Sequence, residues 1–104
     1  MSKYLLAFRG GKMPDNPEAV QAIMAEWEKW MSALGSDMID PGSIVGNNKI
    51  VSKSADQSIP ENSKLSGYML ISSTSMDAAL AIANSCPILK NQGSIEVAQL
   101  MSPP

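Results

Sequence analysis

Lys3–Arg9 is an apolar run between two charges, and at a period of two it places Tyr4, Leu6 and Phe8 on one side and Leu5 and Ala7 on the other. Such a period of two predicts a first strand, closed by Gly10-Gly11. Both sides are apolar, so the strand is expected to be covered on both. The pattern changes at Asn16-Pro17-Glu18, where an amide stands at a helix cap, proline at the first helical position and an acid in the first turn. Val20, Ile23, Met24, Trp27, Trp30, Met31 and Leu34 then follow at spacings of three and four, one continuous apolar stripe of a long helix. Gly35 is placed to end it in a left-handed conformation.

Residues 36 to 66 carry a weaker pattern. Met38-Ile39, Gly42 to Val45 and Lys49 to Lys53 suggest a short strand pair turning at Gly46-Asn47-Asn48. Ser54 to Ser66 is polar and aperiodic, a surface loop of the kind that often carries function. Gly67 to Ser73 reads as another strand with two apolar faces, Tyr68 and Leu70 against Met69 and Ile71. Thr74-Ser75-Met76-Asp77 resembles a capping box. It opens an alanine-rich helix whose buried stripe is expected to be Met76, Ala79, Leu80, Ala83 and Cys86, stopping before Pro87. Ser94 to Leu100 is the last strand, followed by a short Ser102-Pro103-Pro104 tail.

The order predicts a single α+β domain over residues 1–104, a ferredoxin-like βαββαβ unit with an antiparallel sheet. Right-handed crossovers put both helices on one face of that sheet. The other face would expose an apolar set, either Leu5, Ala7, Met69 and Ile71 or the alternate register. An apolar face of that extent exceeds what a monomer leaves in water. A second copy related by two-fold symmetry is the simplest cover, so a homodimer through the open sheet face is expected.

Composition narrows the chemistry. The chain has no histidine, one cysteine (Cys86) and one arginine (Arg9). Histidine-centred triads, Cys–His pairs and His-ligated zinc sites are excluded. A net charge of −2 with lysines scattered at Lys3, Lys12, Lys29, Lys49, Lys53, Lys64 and Lys90 argues against nucleic acid as a partner. Apolar runs fall far short of the ~20 residues of a membrane span, and nothing resembles a secretory signal. A lone cysteine forms no internal disulfide, so the cytoplasm is the expected location.

Gly10-Gly11-Lys12 has a superficial likeness to a phosphate loop, but Met13 stands where Ser or Thr is required, and a post-strand turn is the preferred reading. Asp37 and Asp40 lack a third ligand for a hard cation and read as turn residues. Glu26 and Glu28 lie about 200° apart on the helix and form no acid–base pair. Cys86, without an activating base, reads as a small apolar side chain. No catalytic group, metal or cofactor is assigned. The candidate ligand-binding residues are Arg9, Trp27, Asp40, Tyr68 and Glu96. Arg9 and Glu96 are charges on strands, Tyr68 brings a phenol, and Trp27 belongs to the apolar stripe, where packing is its alternative role.

Tyr4-Leu5-Leu6-Ala7-Phe8-Arg9-Gly10-Gly11, Trp27-x-x-Trp30-Met31, Gly67-Tyr68, and Cys86-Pro87-Ile88-Leu89 followed by Ser94-Ile95-Glu96-Val97 resemble the YCII-related family in its DGPF-domain branch. The resemblance spans nearly the whole chain and implies a dimeric α/β-barrel, two ferredoxin-like units packed sheet to sheet. Ile23 stands where relatives commonly have histidine. Asp56-Gln57-Ser58-Ile59-Pro60-Glu61 replaces the Asp-Gly-Pro-Phe motif, and Glu96-Val97 is followed by Ala98-Gln99 rather than Arg-Pro. The resemblance therefore implies fold far more than activity. Two functions are expected from it and from the packing: a homodimeric module holding a small apolar or amphipathic ligand, or a barrel enzyme working on a small organic molecule without histidine. A cleft gathering two or more of Arg9, Asp40, Tyr68 and Glu96 is the feature that bears on the choice.

Overall fold

The computed structural model describes residues 1–53 and 58–102. Strand β1 (Ser2–Gly10) leads into helix α1 (Pro17–Leu34), then β2 (Met38–Ile44), β3 (Leu65–Ser73), helix α2 (Met76–Asn84) and β4 (Gly93–Gln99). The sheet order is β2-β3-β1-β4 with every neighbouring pair antiparallel, the ferredoxin-like arrangement. Among the described residues no helix is long and apolar enough to cross a membrane.

The helix ends follow the local chemistry. Asn16 Oδ1 accepts the Ala19 N–H at 2.8 Å, and Ser75 Oγ accepts that of Ala78 at 3.1 Å, each satisfying an otherwise unpaired first-turn donor. Gly35 ends α1 at φ 55°, a backbone geometry that glycine reaches without steric cost.

Both helices lie on one face. Tyr4, Leu6 and Phe8 of β1 and Met69 and Ile71 of β3 meet Trp30 of α1, Ala79 of α2, Cys86 and Ile88 in one buried cluster. Trp27, Trp30 and Phe8 pack edge to face with centroids 5.3 to 6.4 Å apart. The Trp30 indole N–H reaches the Ile82 carbonyl and Ser85 Oγ, tying α1 to the end of α2. The least extent of the molecule is 19 Å, one sheet layer and one helix layer deep. Among the described residues no helix or strand covers the second face of the sheet.

Of the two registers left open by the sequence, the alternate one holds: Leu6 pairs with Met69 and Tyr4 with Ile71, so Met69 and Ile71 belong to the buried face and the open apolar set is Leu5, Ala7, Tyr68 and Leu70. Period-two alternation cannot choose between two apolar faces; cross-strand register does. The strand expected at Lys49–Lys53 is absent. The Val45 N–H bonds the Ser66 carbonyl and Asn48 Nδ2 the Leu65 carbonyl, so the chain continues alongside β3 rather than doubling back on β2. Ile50 and Val51, the latter 96% exposed, thus have β-forming side chains without a strand to pair with. The loop expected from Ser54 to Ser66 contains a 3-10 turn at Glu61–Ser63 and gives way to β3 at Leu65; residues 54–57 lie outside the described part. Met24, Met76 and Leu80 are exposed rather than part of the helical stripes, because a helix on a flat sheet buries a narrower arc than its apolar residues span.

Candidate functional site

The open face is built in rungs. Leu70, Leu5 and Ala98 lie side by side across β3, β1 and β4; Tyr68, Ala7 and Glu96 form the next rung, and Leu65, Arg9 and Ser94 the third. All point away from the helices, since side chains alternate and their neighbours Leu6, Phe8, Met69 and Val97 belong to the core.

Ala7 stands at the centre of this pattern. Its side chain ends at Cβ, while Leu5, Arg9, Tyr68 and Glu96 around it are long. The result is a hollow of about 340 Å³ floored by Leu5, Ala7 and Ala98, bounded by Val45 and Leu65, and edged by Arg9, Tyr68 and Glu96. Ala7 keeps only 8% of its surface exposed at the bottom.

Arg9 is held from two sides. One guanidinium nitrogen donates to Glu96 Oε1 at 3.2 Å, and the other donates to the Ser63 carbonyl at 3.1 Å. A register shift between Phe8 and Arg9 in the β1–β3 ladder makes Ser66 the extra residue and helps bring the 61–63 turn alongside β1. Gly10, at φ 68°, permits this approach, because a side chain there would meet the Asn62 carbonyl. The ion pair is partly solvated, with side-chain exposures of 36% and 62%.

Of the five candidate residues, Arg9, Tyr68 and Glu96 come together around this hollow. Asp40 is on the same face, opposite Leu70 on the edge strand, but its Oδ1 accepts the Gly42 N–H at 2.8 Å and shapes an irregularity of β2. Trp27 is on the other side of the sheet, its ring against Phe8. It shares no space with the other four. Ala7, expected on the open face, and Leu65 were not among the candidate ligand residues; the available signal was a small residue in a strand between large ones two positions away, Leu5 and Arg9.

Cys86 is buried in the core, and burial pushes its thiol up to about 11, partly opposed by a hydrogen bond from the Ile88 backbone. It is no nucleophile near neutral pH. Among the described residues no group of three or more His, Cys, Asp or Glu side chains is placed to hold a metal ion. Chemically, the hollow offers an apolar floor, a phenol and a mutually neutralised charge pair. That set suits holding an amphipathic molecule more than activating one.

No protein-family model matches the chain, and no curated protein matches it.

Proposed function

We propose that this chain is a homodimeric α/β-barrel module of the YCII-related kind, working in the cytoplasm. Two protomers close over their open sheet faces and enclose the hollow around Ala7 as a chamber for a small apolar or amphipathic ligand. The observation that carries this reading is the uncovered rungs Leu70-Leu5-Ala98 and Tyr68-Ala7-Glu96, an apolar centre on a sheet only one helix layer deep. Each 100 Å² of apolar surface withdrawn from water contributes about 2.5 kcal/mol before association costs. Two-fold pairing places the same patch on both sides, so a single sequence supplies both halves of a matched interface.

The enzyme alternative draws on the gathering of Arg9, Tyr68 and Glu96. Binding is favoured over it because the guanidinium and carboxylate are engaged with each other and the floor is apolar.

Sedimentation at micromolar concentration tests the assembly. A dimer is expected for the natural chain and a folded monomer for Leu70→Lys, which puts a charge at the centre of the face. A monomeric natural chain overturns the proposal. Native mass spectrometry of gently purified protein tests the chamber, with a bound small molecule as the expected result.

A further inference from the structure

A second space lies at the end of the sheet, beyond Arg9. It is an open groove of about 840 Å³ between the Gly10–Lys12 turn, the Asn47–Lys49 segment and the Asn62–Ser66 stretch, with Gln92 at one side. Lys12, Lys49 and Lys64 all line it, so a chain of net charge −2 gathers three of its cations in one place. Among the described side chains that line it, none is a carboxylate. Asn47, Asn62 and Gln92 add side-chain amides, which donate two hydrogens each. Ser66 also lines the groove, and its buried hydroxyl oxygen has no hydrogen-bond partner among the described residues. A buried hydroxyl left unpaired costs free energy.

We infer that this groove binds a small molecule through a phosphate group. The recognition is by side chains. The backbone amides of Gly10, Gly11 and Lys12 are already given to the carbonyls of Lys64, Gln92 and Asn91, so the turn does not act as a phosphate loop. Lys12 and Lys49 come from different segments, one from the turn after β1 and the other from the segment after β2. A tetrahedral dianion has charge enough for both ammonium groups and oxygens to spare for the side-chain amides. A carboxylate has one negative charge and two oxygens, fewer than the groove has donors. The inference stands independently of the dimer, because the hollow around Ala7 and this groove have only Leu65 in common.

Nitrogen-15 NMR of the full chain at low ionic strength tests it, with inorganic phosphate and phenyl phosphate as probes and sodium chloride at matched ionic strength as control. Saturable shifts at Lys12, Lys49, Ser66 and the side-chain amides of Asn47, Asn62 and Gln92 are expected, with chloride failing to reproduce them. The K12Q/K49Q variant, altered only at exposed positions, is expected to bind at least about tenfold more weakly. Tighter binding of phenyl phosphate assigns the groove to an organic phosphate, and equal binding assigns it to the free ion. Shifts that grow linearly with ionic strength, or equal affinity in the double variant, overturn the inference.

Discussion

The backbone of Gly42 passes so close to the carbonyl of Tyr68 that a β-carbon on Gly42 would overlap the oxygen. Gly42 also sits at φ 69°, in the left-handed region. The edge strand β2 can therefore follow β3 past Tyr68 only with glycine at this position. Gly42→Ala is expected to destabilise the protein by about 2 to 3 kcal/mol, through steric overlap and backbone strain. Chemical denaturation measures it, and a cost below about 0.5 kcal/mol would mean that β2 shifts freely.

Trp30 joins the two helices through its indole N–H, shared between the Ile82 carbonyl at 3.2 Å and Ser85 Oγ at 3.0 Å. The Ser85 hydroxyl and backbone N–H both donate to the Ile82 carbonyl, at 2.8 and 3.2 Å, so that acceptor keeps two partners when the indole is lost. Trp30→Phe, which keeps an aromatic ring against Phe8, is expected to cost about 1 to 2 kcal/mol. Trp30→Ala, which empties the ring cluster, is expected to cost about 3 to 5 kcal/mol. Urea titrations of the two variants separate the hydrogen bond from the packing.

Cys86 supplies a pH dependence with a definite sign. Its folded pKa of about 11 lies above the ordinary 9.0. Well below pH 9 the thiol is protonated in both states and contributes no pH dependence. Between 9 and 11 the unfolded chain releases the proton first, so stability falls as pH rises, at a slope approaching about 1.4 kcal/mol per pH unit. Cys86→Ala is expected to remove this part of the alkaline loss, read as the difference between the two proteins' stability curves. Parallel curves for both proteins would show that the thiol titrates normally.

Arg9 and Glu96 test whether the open face is covered. In a chain kept monomeric by Leu70→Lys the pair is partly solvated, and a double-mutant cycle with Arg9→Gln and Glu96→Gln is expected to give a coupling below about 1 kcal/mol. The same cycle in the assembling chain at fixed protomer concentration is expected to give a larger value, because water is then excluded from the pair. Equal couplings in both backgrounds would argue that the pair stays wet.

Elements with local signatures were legible in the sequence. Asn16, Pro17 and Gly35 bound α1 as their side chains and backbone freedom require, and Ser75 opens α2. Elements that depend on a distant partner were not. Ile50 and Val51 have strand-like side chains, yet the chain beside β3 is held by Val45 and Asn48, whose partners lie in Ser66 and Leu65. The face assigned to Met69 and Ile71 was likewise set by pairing with β1, which no local pattern encodes. Within the site, Arg9, Tyr68 and Glu96 stood out as polar groups on apolar strands. Ala7 did not, because the hollow comes from what its side chain lacks, and only the rungs show what surrounds it.

Both tryptophans of the chain sit in the ring cluster with Phe8, on the helix side. Their emission therefore reports α1 lifting off the sheet, and is silent about whatever docks on the opposite surface. Tyr68 is the one aromatic that faces that way, since Tyr4 is enclosed with the core. Excitation selective for indole and excitation that includes the phenol thus watch opposite sides of the same sheet, giving two optical channels without any added label.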